Sequence, residues 1–421
     1  MPTFSIPLSG LTAESTALSA IANNLANQNT VGYKDVRVLF RDLFYQNLGT
    51  TGAGDPIQLG AGAQVGSMPG VFTQGSVNST GVPTDVAIQG DGFFVVQKDG
   101  VISYTRAGNF AVDKSSFLVT SDGQQVLGYP AVNGVVTPGQ GLTALQLGAG
   151  TISPPTPTNS VELVTNLDAS AAVGDTFSTP VTIFDSLGAS HVLTFTFTKT
   201  AANAWDYTLS LPPGDFTQPA GTGTPPPPPP PAGQVTSGSL TFDGTGTLTS
   251  PSADVTGITI PNFTDGANNL TFTWKLFDGT TPVITQVAAP SSTSSTQQDG
   301  SSSGTLANFS IGADGTVTGS FSNGRTSALG QVALATFADV EGLQRIGNTG
   351  FTPTLASGQA VVGAPGTGGR GNLSGGALEL SNVDIATEFA NLIVAQRAFQ
   401  ADAKVVTTFD QITQDTINLK Q

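Results

Sequence analysis

The chain has 421 residues, and its 14 lysine and arginine residues against 29 aspartate and glutamate residues give a formal net charge of −15. This surplus of negative charge disfavours binding to nucleic acid or to anionic lipid. The absence of cysteine excludes disulfides and thiolate chemistry, and the single histidine excludes a pair of histidines on one metal ion. No basic residue precedes Lys34 and no apolar run is long enough for a membrane span, so we expect neither a cleavable signal peptide nor membrane insertion.

An amphipathic helix is predicted at the N-terminus, beginning between Ser5 and Thr12. Its apolar stripe follows a seven-residue repeat broadened by one further position: Leu11, Leu18, Ile21 and Leu25. A group of asparagines follows: Asn23, Asn24, Asn27 and Asn29. Because asparagine side chains compete with helical hydrogen bonds, we expect this group to end the helix and to bond the local backbone. A role in contacts between subunits is the open alternative.

The long middle of the chain is predicted to be β-rich. A Gly-rich linker is expected over residues 34–70. Residues 71–150 contain short apolar runs separated by turn residues, which predict β-strands and hairpins. Residues 151–325 alternate apolar and polar positions more strictly, which predicts half-buried antiparallel strands.

Two tryptophans and two low-complexity segments are notable within residues 151–325. Trp205 and Trp274 fall in alternating patterns, so we expect them in the core. The proline run at residues 225–231 and the Ser/Thr-rich stretch at 291–304 are expected to be surface loops, the second of them mobile.

A second long helix is predicted from about residue 382 to 419. Ser381 or Asn382 is expected to cap it, and Asp384 suits its positive end. One row of positions, mostly apolar, alternates steps of four and three residues, which is coiled-coil spacing: Ile385, Phe389, Leu392, Gln396, Phe399, Ala403 and Val406. The two terminal helices could pair with each other and still leave apolar surface in water, which favours copies of the same chain as the partner.

The sequence offers little chemistry. Asp185, Ser186 and His191 are neighbours in sequence, but a catalytic triad requires convergence in space, so a turn followed by a strand is the better interpretation. Glycines at 366, 368 and 371 match a nucleotide-binding pattern without the required strand before them and helix after them. We therefore predict no enzyme activity, no cofactor, no catalytic residue and no metal site.

Segments at both ends of the chain resemble the bacterial flagellar rod and hook proteins. They are ANNLANQNTVGYK at 22–34, GDGFFVV at 90–96, YTRAGNF at 104–110, LELSNVD at 378–384 and QRAFQA at 396–401. The positions matched to this family pattern are Asn23, Asn24, Asn27, Asn29, Gly32, Ser381, Asn382, Val383 and Asp384. The length of the chain, with FDSLGASH at 184–191 and LTFDGTGTLT at 240–249, favours the hook members of the family over the shorter rod members.

The resemblance implies a mainly β fold of nested domains, with the helices of residues 1–33 and 380–421 forming a coiled-coil layer. It implies that residues 71–150 and 326–379 form an inner β domain and that residues 151–325 are an outer β domain inserted into it. It implies a subunit that self-assembles into a curved, flexible tube, the universal joint that transmits motor torque to the flagellar filament. It further implies partners: other copies of the chain, the hook cap protein, the distal rod protein, the hook–filament junction protein and the type III export apparatus. The location would be extracellular, at the flagellum. A distal rod protein and, less favoured, a secreted β-sandwich binding module remain the alternatives.

Overall fold

The structure is a computed structural model that describes residues 5–147, 152–217 and 231–419. Two helices stand at the ends of this range: α1 Ser5–Ala26 and α2 Ile385–Asn418. Nearly all other regular structure is β, so the prediction of a mainly β chain with a helix at each end is confirmed. Most of the predicted proline loop, residues 225–230, lies outside the described residues. Within the described ranges, neither helix has the length and hydropathy needed to cross a membrane.

The strands are short and numerous. Before residue 148 they are β1 Leu39–Asp42, β2 Gln46–Thr50, β3 Pro56–Leu59, β4 Ala63–Ser67, β5 Val77–Ser79, β6 Val86–Gln89, β7 Phe93–Lys98, β8 Val101–Thr105, β9 Ala111–Val112, β10 Leu118–Val119, β11 Gln125–Val132, β12 Val135–Val136 and β13 Thr143–Ala144. The next group is β14 Ile152–Ser153, β15 Ser160–Asp168, β16 Thr176–Phe184, β17 Ser190–Ala201, β18 Ala204–Ser210, β19 Gln234–Phe242, β20 Leu248–Ser250, β21 Val255–Ile260, β22 Leu270–Lys275, β23 Phe277–Asp278, β24 Thr281–Pro282, β25 Ile284–Val287 and β26 Ser292–Gln298. The last are β27 Gly304–Ile311, β28 Thr316–Phe321, β29 Thr326–Val332, β30 Leu334–Thr336, β31 Gln344–Gly347, β32 Gly350–Thr352, β33 Val361–Gly363, β34 Asn372–Gly375 and β35 Ala377–Glu379.

The chain divides into two compact units. The first lies within residues 1–151, 307–320 and 326–421, and the second within residues 152–306 and 321–325. The second unit is thus an insertion in the sequence of the first. The return segment 307–320 belongs to the first unit, because its backbone and side chains join the first unit's strands and core.

The first unit is built around a sheet with the strand order β28-β29-β11-β7-β8-β32-β31. Successive residues of β7 point to opposite faces of this sheet. Phe94 packs against Phe110 on one face, with ring centroids 5.0 Å apart, and Phe93 packs against Phe351 on the other at 5.5 Å. Both faces are therefore buried, which explains why β7 is a continuous apolar run rather than an alternating one.

The second unit is a β-sandwich. One sheet has the order β16-β17-β18-β19-β20, and the other has β21-β22-β15-β25 with β26 on the far edge of β15. The expectation for the tryptophans is confirmed, since Trp205 and Trp274 are both fully buried. The rings of Phe195 and Trp274, which belong to opposite sheets, lie 5.1 Å apart. Aromatic packing between the two inner faces thus forms the core.

Residues 292–298 of the Ser/Thr-rich stretch form the strand β26, so the prediction of a loop over 291–304 is wrong for these residues. β26 pairs antiparallel with β15 over residues 161–166. The hydroxyls of Thr165 and Thr293 lie 3.1 Å apart across the pair. Backbone pairing and hydroxyl contacts hold this strand, and its side chains carry no apolar signal by which the sequence could have revealed it.

Residues 34–70 are also more regular than a linker. β1 pairs antiparallel with β4, and β2 with β3, so the segment forms two nested strand pairs. The side chains of β1 and β3 are exposed along their whole length, because backbone hydrogen bonds rather than apolar burial hold the pairs. Composition alone therefore gave no indication of them. The backbone N–H of Ala63 on β4 donates to Oγ of Ser9 at 3.2 Å, which attaches the segment to α1.

Candidate functional site

The two terminal helices pack against each other through small side chains. The buried apolar residues of the two helices are mostly alanines: Pro7, Ala13, Ala17 and Ala20 of α1 and Ala395 of α2. Gly10 continues this pattern, since a Cβ atom placed there would lie 2.5 Å from Oδ2 of Asp402. Small residues allow close approach of the helix backbones but bury little apolar area. The two helices thus pair with each other within one chain.

The predicted apolar seam lies at the margin of this contact or outside it. The residues that are half-buried are Leu11, Leu18, Ile21, Leu25, Leu392, Phe399 and Val406. Ile385 and Phe389 are 47% and 52% exposed. Ile393 continues their row at the helical spacing of four residues and is 59% exposed, although the heptad pattern did not include it. The large apolar side chains of α2 are therefore available to a further partner.

Asn24 is the centre of a buried polar cluster where the helices meet the sheets. Its side chain is 1% exposed. Its Nδ2 donates to the carbonyl of Val36 at 2.9 Å, and its Oδ1 accepts from the hydroxyl of Tyr33 at 3.1 Å. Nδ2 also contacts the carboxylates of Asp35 and of Glu388 on α2. One asparagine thus joins the end of α1, the following segment and α2.

The other asparagines of the group have local roles. The helix ends at Ala26, within the asparagine cluster, as expected. Nδ2 of Asn23 donates to the hydroxyl of Tyr33 at 3.0 Å. Nδ2 of Asn27 donates to the carbonyl of Asn23 at 2.9 Å, which satisfies a helix-terminal carbonyl. Asn29 is exposed.

An ion-pair cluster lies beside Asn24 and is almost inaccessible to solvent. Nζ of Lys34 lies 2.6 Å from Oε1 of Glu379, and Nε of Arg106 lies 3.1 Å from Oε2 of the same carboxylate. Nη1 of Arg106 donates to the carbonyls of Gly90 and Gly92 at 2.8 and 2.7 Å. Burial and the charge of Arg106 lower the pKa of Lys34, and Glu379 opposes this change. Such a buried arrangement fixes geometry, because removing one member leaves an uncompensated charge.

The motif residues before α2 complete the junction. Oδ1 of Asn382 accepts from the backbone N–H of Asp35 at 2.8 Å, and its Nδ2 donates to the carbonyl of Val71 at 2.8 Å. Asp384, rather than Ser381 or Asn382, caps α2, because its carboxylate accepts from the first-turn backbone N–H groups. Ser381 Oγ accepts from the N–H of Val383 at 3.4 Å, and both residues are half-buried.

Gly32 occupies a position that requires glycine. Its φ is +67°, and a Cβ atom there would lie 2.5 Å from the backbone nitrogen of Ala107. Its backbone N–H donates to the carbonyl of Glu379 at 2.9 Å. The segments that follow α1 and precede α2 therefore run side by side.

Lys34, Arg106 and Glu379 lie within the motif segments, but the sequence alone predicts no role for them. Glu388 and Arg345 were missed altogether; the guanidinium of Arg345 donates to the carbonyl of Lys34 at 2.7 Å. The one available signal was the presence of charged residues inside motif segments of a chain in which only 10% of residues are charged.

In the second unit, Asp185 and His191 do come together, but without the serine. Nε2 of His191 lies 3.0 Å from Oδ2 of Asp185, and Nδ1 lies 3.1 Å from Oδ2 of Asp215. The hydroxyl of Ser186 instead accepts from the backbone N–H of Asn268 at 2.9 Å. Both ring nitrogens face carboxylates and neither faces a serine hydroxyl, so the arrangement is not that of a triad.

Known protein families match this chain at both terminal helices and in the β-rich middle. The family models that match are those of the flagella basal body rod protein at residues 6–34, the flagellar hook protein FlgE/F/G D1 domain at 87–164, the flagellar basal body protein FlaE D2 domain at 152–301 and the flagellar basal body rod FlgEFG protein C-terminal at 374–419. The flagellar hook protein FlgE of Escherichia coli K12 is 35% identical, with 99% of this chain and 100% of that protein covered. This chain belongs to the flagellar hook protein family.

Other hook proteins are similarly related. FlgE of Treponema pallidum is 34% identical with 98% of both chains covered, and FlgE of Salmonella typhimurium is 34% identical with 99% and 100% covered. A crystal structure of Helicobacter pylori hook protein FlgE2 aligns with 72% of this chain and 100% of that one, at 15% identity and a TM-score of 0.49. Membership of the hook family makes the chain a structural subunit of the flagellar hook, and the rod and binding-module alternatives are not favoured.

Proposed function

We propose that copies of this chain assemble into the hook through the exposed apolar face of the helix pair. The observation that carries the proposal is the row Ile385, Phe389 and Ile393, which is about half exposed on a helix already paired through its alanine face. Contiguous large apolar residues in water are typical of an interaction surface. Full burial of such a side chain contributes about 1.5–3 kcal/mol relative to full exposure. Because these three side chains are already about half covered, burial by a neighbouring copy would contribute about half of that for each.

The half-buried seam residues are proposed to complete the same contacts. In a polymer, the remaining exposed surface of Leu11, Leu18, Leu392 and Phe399 would be covered by neighbouring helices. Because α1 and α2 already pair within one chain, the assembling element is a preformed two-helix surface. Preformed surfaces lose less conformational entropy on association than helices that must fold first.

The buried junction is proposed to transmit torque from the helices to the sheets. Within the first unit, Asn24, Lys34 and Glu379 connect the adjoining ends of both helices to the segments that follow α1 and precede α2 through buried polar contacts. Breaking such contacts costs a large amount of free energy, because the buried partners are left unsatisfied. A subunit that bends at contacts between copies, and not at this junction, would act as part of a universal joint.

The remaining assignments follow from family membership together with the sequence. We propose a location outside the cell, reached through the flagellar export apparatus. The proposed partners at the ends of the polymer are the hook cap, the distal rod protein and the hook–filament junction protein. The role is mechanical, without catalysis or a cofactor.

Point variants of the full chain test the assembly proposal. Phe389→Asp places a charge in the exposed row and should abolish tubes and pelleting, as seen by negative-stain electron microscopy and sedimentation. Thr387→Asp is the matched control, because Thr387 is exposed on the opposite side of the same helix. Circular dichroism should show equal secondary structure for both variants. Normal tubes from Phe389→Asp would exclude this face as the assembly surface.

A further inference from the structure

His191 is the single histidine of the chain and lies 8% exposed at the start of β17 in the second unit. Three aspartates surround its ring. Nε2 lies 3.0 Å from Oδ2 of Asp185 and 3.9 Å from Oδ2 of Asp265, and Nδ1 lies 3.1 Å from Oδ2 of Asp215. The ring of Phe263 packs on it, with centroids 4.6 Å apart. The imidazole therefore has a carboxylate within hydrogen-bond distance of each nitrogen.

The carboxylates are held in place by the backbone. Oδ1 of Asp185 accepts from the N–H groups of Leu187 and Ala189 at 2.8 and 3.0 Å. Oδ1 of Asp265 accepts from the N–H of Ala267 at 2.9 Å. In both residues the other oxygen, Oδ2, is left to face the imidazole. The ring thus enters an environment whose negative charge is positioned by the local backbone.

This arrangement requires a charged ring. A neutral imidazole has one N–H and can donate to a single carboxylate, which leaves the other carboxylate facing a nitrogen lone pair. The imidazolium donates from both nitrogens and satisfies Asp185 and Asp215 together. The three aspartates are the ionisable groups within ion-pair distance of His191 among the described residues, so no lysine or arginine there supplies the positive charge instead.

The pKa of His191 agrees with this geometry. Burial disfavours the charged ring and is the largest single influence, but the hydrogen bonds to Asp185 and Asp215 and their charges together outweigh it. The pKa of His191 is therefore raised. For Asp185 burial is again opposed, here by the hydrogen bonds from His191 and from the backbone N–H groups of Leu187 and Ala189, and its pKa is lowered.

The cluster lies where the two sheets of the sandwich meet at one end. Asp185 is in the turn between β16 and β17 of one sheet, and Asp265 is in the loop between β21 and β22 of the other. Asp215 follows β18, and its carbonyl accepts from the N–H of Thr264 at 3.0 Å, which holds it beside that loop. The imidazolium thus bridges segments that belong to opposite sheets.

We propose that His191 is a proton-dependent clamp that closes this end of the second unit. When the ring is protonated, it ties the 185–189 turn to the segments around Asp215 and Asp265. When the ring loses a proton, one carboxylate loses its donor, and the three carboxylates, of which Asp185 is buried, Asp215 half-buried and Asp265 exposed, repel one another. The stabilisation is fully present below the unfolded-state pKa and is lost as pH rises through the higher folded-state pKa. The second unit would accordingly be tighter in acidic than in alkaline surroundings.

The chain offers two clean readouts for this proposal. Its single histidine gives one imidazole signal in NMR of the full chain labelled at histidine. That signal should titrate above its ordinary pKa of 6.5, and Asp215→Asn should move the titration downward. Titration at or below the ordinary value would overturn the proposal. A shift of the imidazole signal on adding Zn²⁺ or Mn²⁺ at neutral pH, with no raised titration, would also overturn it in favour of a metal ion at the cluster.

Stability gives the second readout, because the two tryptophans of the chain are both in the core of the second unit. Urea unfolding of the full chain, followed by tryptophan fluorescence, should show a midpoint that falls as pH rises from about 5 to about 8. His191→Gln should remove most of that fall, and Asp278→Asn, an exposed control in the same unit, should retain it. An equal pH dependence in His191→Gln and the wild type would contradict the clamp. If His191→Gln does not fold, Asp215→Asn serves the same comparison.

Discussion

Nζ of Lys34 lies 2.6 Å from Oε1 of Glu379, although 345 positions separate the two residues, and neither side chain reaches solvent. The pair connects the segment after α1 to the segment before α2. Arg106 shares the same carboxylate, so one buried anion faces two buried cations. The stability of the first unit should therefore depend strongly on Glu379.

Replacing Glu379 by glutamine keeps the size of the side chain and removes its charge. We expect Glu379→Gln to lower the free energy of unfolding of the first unit by about 3–5 kcal/mol, because two cations are left buried without a counter-charge. Thermal unfolding followed by circular dichroism measures the change. Glu341→Gln, at an exposed position of the same unit, is the control. Equal stabilities of the two variants would contradict the assigned role of Glu379.

Gly32 should not tolerate a side chain. Gly32→Ala places a Cβ atom 2.5 Å from the backbone nitrogen of Ala107 at a φ of +67°. We expect a loss of at least about 1 kcal/mol in the free energy of unfolding, since the backbone must shift at a position that L-residues rarely adopt. Gly52→Ala is the matched control, because nothing lies within 4 Å of a Cβ atom there. Urea unfolding of both variants decides the matter.

The alanine contact between the helices should be sensitive to size. Ala17→Leu inserts a larger side chain into the buried face of α1 and should destabilise the helix pair by about 1–3 kcal/mol. Ala22→Leu makes the same change on an exposed position of that helix and should have little effect. Hydrogen exchange of the α1 amides measures the difference. Unchanged protection in Ala17→Leu would mean that the helices are not held at this face.

The helix pair should also respond to acid. Burial and the negative charge of Asp402 raise the pKa of Glu14 above 4.5. Because the folded-state pKa is the higher one, this group favours pairing below pH 4.5 and the benefit is lost as pH rises through the folded-state value. The protection factors of the α1 amides, which correct the exchange rates for the pH dependence of intrinsic exchange, should therefore be larger at the acidic end of this window.

Glu14→Gln provides the test of that assignment. The variant lacks the titrating group, so the protection factors of its α1 amides should depend less on pH than those of the wild type. At neutral pH they should be larger than in the wild type. Glu162→Gln, which lies in the second unit, should behave as the wild type does. A wild-type pH profile in Glu14→Gln would assign the effect to another residue.

Strand patterning and helix periodicity were sufficient to predict the fold class. Trp205 and Trp274 lie in alternating strands, and their burial follows from that alternation. β26 was missed because its serines and threonines lack the apolar period that marks a buried face. The cap at Asp384 also differed from the expected residue, since several polar residues before α2 could fill that role and only the backbone geometry selects one.

The site was predicted in part. The asparagines and the residues before α2 were recognised as a pattern, but the pattern does not reveal that Asn24 contacts Glu388 across 364 positions. The burial of Lys34 and Arg106 could not be predicted from the sequence either, because charged residues are usually solvated. Likewise, Asp215 and Asp265 approach His191 only after both sheets of the sandwich have formed. Contacts of this range depend on topology, which local sequence does not encode.

Gly32 donates to the carbonyl of Glu379, and Asn382 accepts from the N–H of Asp35, so the two segments that join the helices to the sheets run side by side. The C-terminal end of α1 and the N-terminal end of α2 are consequently anchored at the same place. A pull on the helix pair is shared between two covalent connections, and the bonds between them stop one from sliding past the other. A mechanical load on the helix pair is therefore divided between two parallel segments, and neither segment carries it alone.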